Sequence, residues 1–151
     1  NSLSKLKKNR ISDGTATKKD ILKLVNKMQK SMSAIKKLEK KNSLQMKKRF
    51  QRYKKELDIK GKDLNMTEIF ATLGKSDINE EVVRFDSHLG LVANLIKSKN
   101  NIGKKLDFYT QEMLREANTM SSKALISEIK NEAVDIKSSI ERMKEHAQNI
   151  E

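Results

Sequence analysis

The sequence predicts an all-α fold of long antiparallel helices forming a bundle that is completed by oligomerisation. Three observations carry this. The 151 residues contain no Pro and only five Gly, so helices are interrupted by short turns alone. Aromatic residues make up 4% and charged residues 35%, a balance that favours solvated helices over sheet. Apolar residues recur at three- and four-residue intervals along most of the chain, the period of a helix and not of a strand.

Residues 1–15 are polar and basic, and Asp13-Gly14 reads as a turn, so this stretch is expected to be loop or frayed helix. Thr17 followed by Asp20 resembles a capping box, and Ile21, Leu24, Met28, Ile35 and Leu38 then predict a helix ending near Lys41. A second helix is expected over 43–58, with Met46, Phe50, Tyr53 and Leu57 on one side and Lys or Arg elsewhere; Gly61 closes it. A short helix over 63–73 presents Met66, Ile69, Phe70 and Leu73, with Gly74 placed for a C-terminal cap.

Asp77 is a natural N-cap with Glu80 three residues on. Behind it Ile78, Val82, Phe85, Leu89, Val92 and Ile96 keep a 4-3-4-3 spacing. Residues 100–103 break that helix, and the next carries Leu106, Tyr109, Met113, Ala117 and Met120 on one face. From Ser127 onward Ile129, Ala133, Ile136, Ile140, Met143, Ala147 and Ile150 repeat the pattern. The last three helices are therefore expected to pack as an antiparallel bundle. Their stripes are narrow and poor in aromatics, which predicts that helices of another subunit help to cover them.

Charge divides the chain. Residues 1–62 hold 21 Lys and Arg against 5 Asp and Glu, whereas residues 63–151 hold 12 against 15. We read 1–62 as a basic helical region and 63–151 as a C-terminal helical domain. The basic part either solubilises its helices or forms an electrostatic track for RNA or DNA, and its charge favours the track. It lacks interleaved aromatics, so salt-sensitive backbone binding is expected from it, not base stacking. No Cys is present, which excludes disulfides and thiolate sites. No apolar run approaches the roughly 18 residues of a membrane span, and a soluble cytoplasmic protein is expected. The first residue is Asn and the chain opens inside a basic segment, as a piece of a longer protein would. Gly-rich phosphate loops, HExxH, Cys/His ligand patterns and a nucleophile elbow are all missing from the sequence.

Two constellations carry chemistry. Glu81, Arg84 and His88 form one polar edge beside an apolar stripe. They can hold a phosphodiester, ligate a divalent cation through Glu81 or supply a proton through His88; the plain alternative is a solvated edge with a Glu81–Arg84 pair. On the following helix Glu112 and Glu116 stand one turn apart, a spacing that suits Mg²⁺ or Mn²⁺ and is also common on ordinary surfaces. Asp107, Gln111 and Asn118 share a face with Arg115 nearby, groups that hydrogen-bond phosphate, ribose and base edges. Lys104 and Lys105 beside Gly103 add an anion site at a helix start. His146 lies among Glu145 and Gln148 and is read as a surface residue.

Several motifs together point to a family: Asp77-Ile-Asn-Glu-Glu-Val-Val-Arg84 with Ser87-His88, Gly103-Lys-Lys-Leu-Asp-Phe, Gln111-Glu112, Arg115-Glu-Ala-Asn-Thr119, Ser122-Lys123 and Gln148-Asn-Ile-Glu151. This set resembles the C-terminal part of the YicC/YloC family of bacterial proteins, without a gap from about residue 77 to 151. Residues 9–14 and the two basic helices resemble the family's middle helical region, and its sheet-containing N-terminal portion has no counterpart here. Leu114 and Leu125-Ile126 stand where the family commonly has Asn and Asn-Asp. The resemblance implies a metal-dependent endoribonuclease that cuts single-stranded RNA and assembles as a ring-like hexamer. On that basis Glu81, Glu112 and Glu116 are assigned to the cation, Mg²⁺ or Mn²⁺. Arg84, Arg115 and His88 are assigned to catalysis, and Asp107, Gln111, Asn118, Lys104 and Lys105 to RNA. The rival expectation is a non-catalytic helical RNA-binding or oligomerisation module.

Overall fold

The computed structural model describes residues 2–61 and 66–150. Among them are five helices and no strand: α1 (Ser2–Ile59), α2 (Met66–Gly74), α3 (Asn79–Ile96), α4 (Gly103–Lys123) and α5 (Ser127–Gln148). The expected start of the short helix at 63–65 lies outside the described residues.

The main departure from expectation is α1. Where loop or frayed helix was expected residues 2–15 are helical, the break at 41–43 does not occur, and one helix of 58 residues runs for about 87 Å. Asp13-Gly14 does not turn the chain, and Gly14 is absorbed in the helix at a cost of about 1 kcal/mol. Thr17 is no cap, because its hydroxyl donates to the Asp13 carbonyl one turn back at 2.8 Å, as Thr15 does to Ile11. Near 41–43 no Pro or Gly forces an end. Asn42, the residue that reads as a stop, is instead 2% exposed. Its amide donates to the Ser76 carbonyl at 3.1 Å, and its Oδ1 accepts the Leu125 N–H at 2.9 Å. One side chain thus ties α1 to the segment before α3 and to the α4–α5 link.

The apolar stripes of α3, α4 and α5 are buried as their spacing predicts, from Ile78 at 1% through Phe85, Met113 and Ile136 at 0% exposure. Three helices are not the whole bundle, however. The middle of α1, through Ile21, Val25, Met28, Met32 and Ile35, joins the same core. Four helices close a ring, α3 on α4, α4 on α5, α5 on α1 and α1 on α3, and α2 packs on α1 alone. Short links make α3, α4 and α5 alternate in direction. Lys18 Nζ donates to the Ser98 carbonyl at 2.8 Å at one end, and Lys41 meets Glu128 at 3.0 Å at the other, so α1 runs antiparallel to α3 and α5. The cover expected from another subunit is supplied along these stripes by α1.

Local termini follow ordinary rules. Asp77 accepts the Asn79 N–H at 3.0 Å, one residue ahead of the N-cap position Ile78. Gly74 is not in the left-handed region, whereas Gly61 is, with φ 62°. At the foot of α4 a Cβ on Gly103 would meet the Ile150 carbonyl oxygen at 2.7 Å, so only Gly permits this approach of α4 to the end of α5. Leu3, Leu6 and Ile11 are 78%, 59% and 68% exposed on the overhang of α1.

Two outcomes follow. Asn42→Ala strands a buried carbonyl and a partly buried N–H, and is expected to lower stability by about 2–4 kcal/mol in urea unfolding. The Glu128 carboxyl is held below its ordinary value, first by its own backbone N–H and then by Lys41. A depressed folded pKa contributes stability above the unfolded value of about 4.3 and loses it as pH falls through the folded value. Glu128→Gln should therefore flatten the acid limb of a stability-against-pH curve and leave the alkaline limb unchanged.

Candidate functional site

The flanks of the α3 and α4 stripes meet in an open cleft of about 520 Å³ lined by Arg84, Ser87, His88, Glu112, Arg115 and Glu116. Burial of Phe85 and Leu89 on α3 against Met113 and Ala117 on α4 brings the residues next to them onto one seam. Five of the side chains singled out from the sequence converge here, three from one helix and two from the other. Ser87 is the lining residue to which no role was given; its signal is its position three residues after Arg84 and beside His88.

The charges are not equivalent. Glu116 is 6% exposed, and its Oε1 lies 4.0 Å from Arg84 Nη1. Arg84 Nη2 pairs with Glu80 one turn back, so the expected Glu81–Arg84 pair is replaced by a Glu80–Arg84 pair. The side chains of Glu112 and Arg115 have no hydrogen-bonded or ion-paired partner among the described residues. His88 has a buried Nδ1 without a partner among the described residues, so no hydrogen bond from them fixes its tautomer at that nitrogen. Its ring tilts against Tyr109 at 6.0 Å between centroids.

Glu81 belongs elsewhere. It is 4% exposed, since it lies one turn before Phe85 and is drawn into the α3–α4 packing. Its Oε1 accepts from Lys123 Nζ at 2.6 Å, and Oε2 is buried with no partner among the described residues. No group of three His, Cys, Asp or Glu that can hold a metal ion occurs among the described residues. Of the three carboxylates assigned to the cation from the sequence, Glu81 is thus paired with Lys123, apart from the other two. Glu112 and Glu116 remain, and two carboxylates one turn apart fit a hard cation that keeps much of its water and completes its shell from phosphate. They do not form a closed three-ligand centre.

The residues assigned to RNA do not share this cleft. Lys104 and Asp107 line another, of about 400 Å³, with Asn101, Gly103, Ala147, Gln148 and Ile150. There the carbonyl oxygens of Ile150 and Ala147 stand against Gly103. Asp107 Oδ2 accepts from Gln111 Nε2 at 3.2 Å, while Lys105 and Asn118 are exposed on α4. A third cleft, about 190 Å³, collects Lys48, Arg49 and Arg52 with Gln45 on α1 around Leu125, a concentration of the basic track expected from composition.

The Lys123–Glu81 and Lys41–Glu128 pairs differ in consequence. Lys123→Met leaves Glu81 buried and uncompensated and should cost about 3 kcal/mol. Lys41→Met, with both partners half exposed, should cost less than about 1 kcal/mol. Parallel denaturant titrations of the two variants check the difference.

Known proteins bear on this geometry. The profile of the family described as "Endoribonuclease YicC-like, C-terminal" matches residues 30–151. A protein of Clostridioides difficile (strain 630) named "Probable endoribonuclease YicC" is 49% identical over 77 residues, which cover 51% of this chain and 26% of that protein. A protein of the same name from Haemophilus influenzae (strain ATCC 51907 / DSM 11121 / KW20 / Rd) is 41% identical over 75 residues, 50% of this chain and 26% of the relative. The matched stretch is thus about a quarter of each relative's length. With residues 30–151 under the profile, the chain belongs to the YicC-like endoribonuclease family.

Proposed function

We propose that this chain is the C-terminal region of a metal-dependent endoribonuclease acting on single-stranded RNA, with the α3–α4 cleft as its reaction site. What supports the reading is the convergence of Arg84, His88, Glu112, Arg115 and Glu116 on one open cleft, together with the name carried by both relatives. Arg115, unpaired, and Arg84, shared between two carboxylates, bind the phosphate and offset the charge that grows on it during attack. His88 moves a proton to or from the reacting oxygens. Glu112 and Glu116 hold Mg²⁺ or Mn²⁺, which when bound supplies an activated water and a counter-charge. The cations of α1 and the Lys48–Arg49–Arg52 cleft gather RNA through its backbone. In the same reading the protein works in the cytoplasm as a hexamer, and the exposed Leu3, Leu6 and Ile11 face of α1 packs on other copies.

One observation favours a second reading, a helical module that binds RNA or joins subunits without cutting. It is the lack of a third metal-ligating side chain beside Glu112 and Glu116 among the described residues. The two readings separate in one assay: labelled single-stranded RNA incubated with this chain and with a chain of its relatives' full length, in Mg²⁺, Mn²⁺ or chelator. Cleavage that needs the cation and falls about a hundredfold or more in Glu112→Gln/Glu116→Gln supports the nuclease. Cleavage undiminished in that variant removes the ligand assignment. Binding without cleavage, steeply weakened by salt, establishes the module instead.

A further inference from the structure

Phe108 is an unusual surface residue. It is 56% exposed in a chain with four Phe, two Tyr and no Trp, while Phe85 on the neighbouring helix is fully buried. Leaving such a ring in water forgoes part of the stabilisation that burial would give.

The ring is held in an ordered setting. It meets Tyr109 edge-on, with centroids 5.5 Å apart and planes at 68°, and Tyr109 in turn contacts His88. Since His88 lines the α3–α4 cleft, an aromatic row leads from that cleft to an open ring. Sequence position gives the same placement. Phe108, Glu112 and Arg115 follow one another at i, i+4 and i+7 on α4, so the ring lies about one turn below the Glu112 carboxylate on the same stripe.

Building on the cleft's reading as an RNA site, we propose that Phe108 is a stacking platform for an unpaired base whose phosphate occupies the space between Arg84 and Arg115. Every base has a π-face, so such a platform is indifferent to sequence. A base inside a duplex has both faces covered by its neighbours, and only a strand with free bases can use the ring. The preference for single strands is thereby separated from the cations of α1, which attract any polyanion alike. Phe108 acts here as a positioning residue for the strand. Tyr109 supports it from the side, and His88 marks where the row enters the cleft.

The test uses this chain as parent, with Phe108→Ala and Phe108→Trp variants, and two probes of matched charge, a fluorescein-labelled oligoadenylate and inorganic polyphosphate. Phe108→Ala should weaken oligoadenylate binding about tenfold and leave polyphosphate affinity unchanged. Phe108→Trp should restore the affinity. Its Trp, the single one in the chain, should be quenched by oligoadenylate and not by polyphosphate. Because Phe108 is exposed, all three proteins should unfold at similar temperatures. Unchanged oligoadenylate affinity in Phe108→Ala, or an equal loss for both probes, overturns the platform and leaves the cleft's reading standing. Failure of the parent to bind oligoadenylate at all overturns both.

Discussion

The fold depends on α1 closing the fourth side of the bundle. Helices α3, α4 and α5 each carry a single narrow stripe, and the short links between them make neighbours of α3 with α4 and of α4 with α5. Nothing in that connection covers the gap between α5 and α3. The middle of α1 fills it, with Ile21, Met28 and Ile35 fully buried. A helix in that place must pass residue 42 without a break, and the two hydrogen bonds of Asn42 secure its register against both neighbouring links.

The character of the cleft is a consequence of where charge is already committed. Lys123 neutralises Glu81, and Lys36 pairs with Asp86 on the far flank of α3. Arg84 is divided between Glu80 and Glu116. What remains uncommitted in the seam is one carboxylate, Glu112, and one guanidinium, Arg115. Under the proposed function, these two groups of opposite sign are the ones open to a phosphate and its counter-ion.

Much of this was legible in the sequence, and the misses have physical reasons. The stripes of α3, α4 and α5 were readable because each repeats a 4-3 spacing over several turns, and the same spacing put Arg84 and His88, or Glu112 and Glu116, on common edges. The pairing of Glu81 with Lys123 joins residues 42 positions apart, a separation that periodicity does not report. The continuity of α1 was hidden because Asn42 and Asp13-Gly14 are turn formers by local preference. At Asn42 the preference yields to partners far along the chain. Phe108 fell between categories, apolar in type yet off the buried stripe.

The length of α1 has a further meaning when the helix is regarded as a charged rod. Between Ser2 and Ile59 it carries nineteen Lys and Arg against five Asp and Glu, or about one net positive charge per 6 Å of axis at the helical rise. That interval is shorter than the Debye length of about 8 Å at physiological ionic strength. Neighbouring charges on the overhangs therefore repel along the rod, where no core holds the helix together. Under the proposed function, added salt acts on α1 in two opposing ways, loosening its grip on RNA while relieving the repulsion of its own like charges. A nucleic acid strand laid along the rod achieves the second effect by itself, so binding and stiffening of the overhangs are one linked equilibrium.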